Sequence, residues 1–251
     1  MRIYIGFDDT DNTESEYGTG KVARWFSEDL PSDCRVWGVV RQQLLVDDAI
    51  PYTSHNSAAC LIVETTSNGN LIHKLTDQAM RHLDRHAAAG SDPGVCIVSE
   101  KSPTLIDLLQ FGLACTIRVM TQADARRVCR DEHLAGHGGT NDGIIGAAAA
   151  VGLTAAGWYG RFIEFGNLRG LPSEIRVVEL EAHGIRLISM DRDACIPKPN
   201  DLVITKSWVR PRLIGGQPVL PVIQRDTGIW ETTGGRRGKN NGGHFAQANS
   251  Q

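Results

Sequence analysis

The chain has 251 residues, 41% hydrophobic and 22% charged, with a formal net charge of −3. That balance excludes a disordered or fibrous chain, and it lacks the basic surplus that a broad nucleic-acid surface calls for. No apolar run reaches the roughly 18 residues of a membrane span and no signal-peptide core opens the chain, so a cytoplasmic protein of one large or two modest domains is expected, with no membrane partner.

The first strand, RIYIGF at 2–7, runs straight into FDDTDN, which sets Asp8, Asp9 and Asp11 at its carboxyl end. Open sheets bind ligands at that edge, where loops converge. In a regular strand Asp8 and Asp9 point to opposite sides, while Asp9 and Asp11 share one. Carboxylates this close repel unless a cation neutralises them. Mg²⁺ takes oxygen ligands and bridges one or two carboxylates to substrate phosphates, so these three residues are candidate metal ligands. The alternative is a turn shaped by Asp11 and Asn12, with the others in solvent.

YGTGK at 17–21 opens a helix with Val22, Trp25, Phe26 and Leu30 on its apolar face. Gly18 and Gly20 allow close approach of an anion, the helix amino end favours one, and Lys21 adds a point charge. Thr19 would equally serve as an ordinary N-cap, and the Walker A spacing is absent. Strands are then expected at 35–43 and 58–64, the latter entered from IPYTSHNS with His55, Asn56 and Ser57 in a turn. A helix over 70–88 follows, carrying Leu71, Leu75, Ala79, Leu83 and Ala87. Its His82 and His86 are read as surface polarity.

After the turn signal GSDPG come a fourth strand, a short helix near 103–110, a strand at ACTIRVM and a helix at TQADARRVCRDEHL. AGHGGTND, with no large apolar residue, suggests a lobe boundary at 134/135. GHGGTNDGIIGAAAAVG then feeds a helix over 142–157. Gly138, Gly139, Asn141, Asp142 and Gly143 are candidates for a phosphate or nucleotide cradle. A lobe-linking loop before a closely packed helix is the competing reading. Strands are expected at 160–165, 174–181, 184–189, near 201–208 and at 217–224, with a flexible polar tail over 227–251. Strands alternating with helices define an α+β, α/β-like fold. The six cysteines show no CxxC spacing and mostly sit in apolar runs, as buried free thiols do.

In order and rough spacing, GFDDTDN, YGTGKVA, IPYTSHNSAACLIVE, SDPGVCIV and GGTNDGIIGAAAAVG resemble the motifs of archaeal TiaS, the agmatinylcytidine synthetases that modify an isoleucine tRNA. The resemblance covers about residues 1–225. It implies an ATP-using kinase-like domain at 1–134 and a ferredoxin-like, agmatine-associated domain at 135–226. It also implies ATP and Mg²⁺ as cofactors, with Asp8 and Asp9 handling metal and Asp11 supporting them. Thr19 best matches a threonine that the family phosphorylates, although Gly18-Thr19-Gly20-Lys21 stands where the family tends to have Cys-Thr-Thr-Tyr. Lys21 would stabilise charge during phosphoryl transfer, and Asn56 with the 138–143 loop would complete the nucleotide pocket. The family's OB-fold and zinc ribbon have no counterpart here, so tRNA binding is not carried over. The expected function is an ATP- and Mg²⁺-dependent phosphotransferase or ligase acting on an oxygen of a small-molecule or nucleobase acceptor, for attack by an amine such as agmatine. The alternatives are a non-catalytic nucleotide-binding regulatory module and a tRNA-modifying enzyme whose tRNA contacts come from a partner chain. A homodimer stays open.

Overall fold

A computed structural model describes residues 1–53, 55–66, 71–193, 195–205 and 208–233. The first half supplies β1 (Arg2–Asp8), α1 (Thr19–Trp25), β2 (Cys34–Gln43), β3 (Ser57–Thr65), α2 (Leu71–His86) and β4 (Gly94–Ser99). It continues with α3 (Leu105–Ala114), α4 (Gln122–Val128), β5 (His133–Gly136) and α5 (Gly143–Ala155). Then follow β6 (Arg161–Glu164), β7 (Glu174–Arg176), α6 (Val177–Ala182), β8 (Arg186–Ser189) and β9 (Leu202–Ile204). The last elements are β10 (Arg212–Ile214), β11 (Gln217–Asp226) and β12 (Ile229–Thr232).

The strands form one mixed sheet of twelve, ordered β5-β4-β1-β3-β2-β6-β10-β11-β12-β9-β7, with β8 paired to β11. β1 is central to the first half and antiparallel to both β3 and β4. Alternation splits its side chains between two cores. Ile3, Ile5 and Phe7 pack with Ala23, Phe26, Leu75 and Leu83 on the α1/α2 face. Tyr4 joins Cys60, Cys96, Phe111 and the small residues of α5 on the other. Both faces are covered, which explains why these strands read as nearly continuous apolar runs.

α5 lies almost in backbone contact with the sheet. A side chain at Gly6 would collide with the Ala147 carbonyl, and one at Gly94 with the Gly143 backbone. The run of glycine and alanine in α5 is therefore a packing requirement, and it joins the segment after residue 135 to the strands before it.

Several expected elements differ. ACTIRVM is not a strand: its backbone closes α3 in tight turns, with Cys115 N donating to Phe111 O and Arg118 N to Ala114 O. Its β-branched Ile117 and Val119 point outward, so their composition misleads. The expected strand 174–181 breaks after Arg176, whose N–H donates to Glu179 Oε2 at 2.9 Å and starts α6. The helix expected to run through 134 stops at Val128, and β5 replaces its end. β10 was not expected. His82 is buried rather than a surface residue, bridging Asp29 Oδ2 at 2.7 Å and the Val22 carbonyl at 2.9 Å. Residues 229–232 of the expected tail form β12, while 234–251 lie outside the described residues. No described helix is long and apolar enough to cross a membrane.

Trp230 is 1% exposed and donates its indole N–H to Asp201 at 2.8 Å. Trp230→Ala is expected to cost about 3–5 kcal/mol in urea unfolding. A cost under about 1 kcal/mol would show that β12 is dispensable.

Candidate active site

β1 delivers its acids to a cavity of about 330 Å³. Asp8, Asp9, Asp11, Thr19, Asn56, Asp142 and Gly143 all line it, so seven of the expected residues converge. They come from β1 and its following turn, the start of α1, the loop before β3 and the start of α5. The remaining wall is partly apolar, with Leu44, Ile50, Pro51, Val119, Met120 and Ile145.

The chain leaves regular strand geometry at Asp9, whose φ is 52°. A non-glycine residue there is strained by roughly 1–3 kcal/mol. The strain has a consequence: the strand alternation expected for Asp8 and Asp9 is broken, and both reach the same cavity. The Asp8 carboxyl fits where Gly146 has no side chain, since a Cβ at that position would overlap Asp8 Oδ2.

Burial, then the neighbouring Asp9 charge, pushes the Asp8 carboxyl from 3.8 up to about 8. Burial, followed by the charges of Asp92, Asp11 and Asp142, raises Asp9 to about 6. Among the described residues, no Lys, Arg or His forms an ion pair with Asp8, Asp9 or Asp11. The described residues hold no preformed group of three or more His, Cys, Asp or Glu ready to enclose a metal. One or two uncompensated carboxylates open to a cavity suit Mg²⁺, which completes its shell with water and substrate phosphates rather than an all-protein cage. Asp8 and Asp9 are the residues that would hold it.

Asp11 has a different task. Its Oδ1 accepts from the Thr19 N–H and hydroxyl, both at 3.2 Å, and its Oδ2 accepts from Thr53 Oγ1 at 2.8 Å. It thereby satisfies the amino end of α1 and fastens the 53 loop. Thr19 Oγ1 also accepts from the Thr10 N–H and hydroxyl. Asn56 lines the cavity while its side-chain amide donates to Leu45 O at 2.6 Å.

Other expected residues stand apart. Lys21 is two positions beyond Thr19, about 200° around the helix. Its Nζ lies over the Tyr17 and Trp25 rings, at 5.3 and 5.0 Å, rather than in the cavity lining. Gly18, the N-cap of α1, has room for a Cβ at an ordinary 3.6 Å from Asp11, while a Cβ at Gly20 would press on the Ile163 side chain at 3.0 Å, so Gly20 serves packing; neither glycine lines the cavity. Gly138, Gly139 and Asn141 do not line the cavity. Three of the backbone amides that this loop was expected to offer a phosphate, those of residues 140–142, are engaged by an internal anion. Asp92 accepts from the N–H groups of Thr140, Asn141 and Asp142 at 3.0, 2.6 and 3.0 Å, and from the Thr140 hydroxyl. Burial opposes the charge on Asp92, yet these bonds hold its carboxyl below the usual range.

Sequence reasoning missed Arg118 and Gln122. Arg118 lines the cavity from the turn after α3 and was concealed within the segment read as a strand. Gln122 bonds Asp142 Oδ1 at 2.7 Å from the first turn of α4. A turn after α3, rather than a strand, would have been the signal for Arg118; Gln122 lay inside an expected helix, and its tie to Asp142, 20 residues away, has no local signal.

No family model matches the chain, and no curated protein matches it. Solved structures do. A tRNA fluorescent labeling enzyme is 26% identical with a TM-score of 0.51, the match covering 61% of this chain and 36% of that one. TiaS bound to an isoleucine tRNA and ATP gives the same identity, TM-score and coverage. A TiaS complex with tRNA, AMPCPP and agmatine covers 72% of this chain and 44% of its own, at 22% identity and TM-score 0.51, a likeness of fold alone. The resemblance to TiaS read from the motifs thus holds in structure, over little more than a third of the labeling enzyme's length.

A carboxyl raised in the folded state contributes stability that is fully present below its unfolded pKa and is lost as pH rises through the folded one. For Asp8 that window runs from 3.8 to about 8. Stability of the metal-free protein is expected to fall across it, and Asp8→Asn to flatten the fall. Thermal unfolding at a series of pH values checks this; equal slopes for the two proteins would contradict the burial of an uncompensated acid.

Proposed function

We propose that this chain is an ATP- and Mg²⁺-dependent phosphotransferase or ligase. It activates an oxygen on a small-molecule or nucleobase acceptor for displacement by an amine, agmatine being the amine the TiaS resemblance suggests. The carrying observation is one cavity in which Asp8 and Asp9, without a basic partner among the described residues, share space with an apolar wall. A nucleoside triphosphate matches both: its phosphates reach the acids through a cation, and its base fits apolar surface. Similarity to TiaS bound to ATP supports the same reading.

The residues divide the work. Asp8 and Asp9 hold Mg²⁺, which when bound neutralises triphosphate charge. Arg118 on the cavity wall offers planar donors to the phosphates and stabilises charge during transfer, the part expected of Lys21. The Thr19 hydroxyl donates to Asp11 Oδ1 at 3.2 Å, so that on attack at phosphorus its proton passes to that carboxylate while the P–O bond to the rest of the nucleotide breaks and that remainder departs as the leaving group. Asn56, Asp142 and Gly143 shape the wall. The kinase-like and ferredoxin-like domains belong to this proposal, with β5 and α5 packed on the first, as does a tRNA acceptor held with the help of a partner chain.

ATP with Mg²⁺ at about 100 times Kd should stabilise the protein by roughly 2.7 kcal/mol, a rise in Tm on the order of 5–10 °C. The shift should require Mg²⁺ and vanish in Asp9→Asn. Thr19→Ala is expected to keep the shift and lose turnover, with Thr19→Ser retaining part of it. A metal-independent shift, or unchanged turnover in folded Asp9→Asn, would overturn the assignment.

A further inference from the structure

Three arginines stand directly opposite one another on adjacent strands. Arg41 of β2 is in register with Arg161 of β6, and Arg161 with Arg212 of β10. Their neighbours Val40, Phe162 and Leu213 are buried in the core shared with α5. Alternation therefore sends all three arginines to the opposite face, the one that carries α1 and α2. With neighbouring strands about 4.8 Å apart, the row spans about 10 Å.

Like charges directly opposite in a sheet are destabilising. Among the described residues no carboxylate pairs with Arg41, Arg161 or Arg212. Burial and then the neighbouring guanidinium charges hold Arg41 and Arg161 below their usual range. Arg210 lies near Arg41 and over the Trp208 ring at 4.6 Å, while Arg169, over the same ring at 4.4 Å, is ion-paired with Glu164 at 3.9 Å. The net charge of −3 conceals this concentration.

The row also has a direction. Arg41 Nε donates to Ser57 Oγ at 2.9 Å, and Ser57 lines the acid cavity. The positive line thus starts at the cavity's rim and runs outward across β6 and β10. Arginine forks match phosphate oxygens bidentately. An acidic peptide is the poorer fit, because β6 is paired on both sides and offers no free edge for an added strand.

We propose that Arg41, Arg161 and Arg212 form a second anion site, distinct from the carboxylate cavity, for a ligand bearing two or more phosphate groups in a chain. Two sources share that chemistry: a single-stranded nucleic acid and a free polyphosphate. The site stands independently of the nucleotide reading, since none of its three arginines lines the cavity.

The test uses the whole chain without nucleotide or metal. Binding of a fluorescein-labelled uridine oligonucleotide of about ten residues is followed by anisotropy, and binding of inorganic tripolyphosphate by calorimetry. The wild type is expected to bind at least one probe, and the probe it prefers identifies the source. Arg161→Gln with Arg212→Gln should weaken oligonucleotide binding at least roughly tenfold and reduce the salt slope by about 1.4. For tripolyphosphate the same loss of affinity is expected. Each single variant should unfold at the same or a higher temperature than wild type, because a repulsive pair has been relieved. No binding by wild type, equal binding by the double variant, or a lower Tm in Arg161→Gln would overturn the proposal.

Discussion

The structure depends on how closely α5 approaches β1 and β4. Where most helices stand off a sheet by the thickness of two side-chain layers, here glycine on one or both sides lets backbone meet backbone. Gly6 faces the Ala147 carbonyl and Gly94 faces Gly143. The same approach buries the end of β1 under the first turns of α5, so that Asp8 occupies the space Gly146 leaves open. Placement of the helix and burial of the acid are one event. A side chain at either glycine would push α5 outward and open Asp8 to water, weakening the core and relaxing the site together.

That burial sets the electrostatics. Asp8 and Asp9 are held where ionisation is costly, with further carboxylates nearby and no basic partner among the described residues. Such an arrangement lowers stability unless something compensates it, and functional sites are where such costs persist. A cation with phosphates supplies that compensation. The left-handed backbone at Asp9 is a second cost at the same place. Around this strained centre, Asp92 and Asn56 are spent on scaffolding, holding the loop before α5 and the loop before β3, and Asp11 fastens the start of α1 while pairing with the Thr19 hydroxyl. A row of acids in sequence therefore resolves into two residues facing a ligand and one, Asp11, that holds Thr19.

Much of this was legible in the sequence wherever a pattern had one physical reading. The apolar runs of β1, β3 and β4 and the helical spacing of α2 declared themselves, as did FDDTDN at a strand's end. Glycine was harder. Gly20 and Gly146 look alike in sequence as places for close approach, yet in both cases the approaching group belongs to the chain itself. The nest before α5 likewise binds an anion as its composition suggests, but the anion is Asp92, 48 residues from Thr140. Arg118 was missed because β-branched neighbours imitate a strand where the chain turns back after α3. β12 was missed because only Ile229 and Trp230 are apolar in it and a glycine- and asparagine-rich run follows. The arginine row depends on register between strands far apart in sequence, which no local pattern records.

The central claim is that Asp8 and Asp9 bind a divalent cation together with a triphosphate. The most direct measurement is a crystal structure with Mn²⁺ and a non-hydrolysable ATP analogue, read by anomalous scattering at the manganese edge. A manganese peak contacted by Asp8 and Asp9, directly or through one water, with the phosphates beside it and the base against Leu44, Ile50 and Met120, is the predicted result. A nucleotide bound elsewhere, or an ordered nucleotide in the cavity with no metal at these two carboxylates, would contradict it.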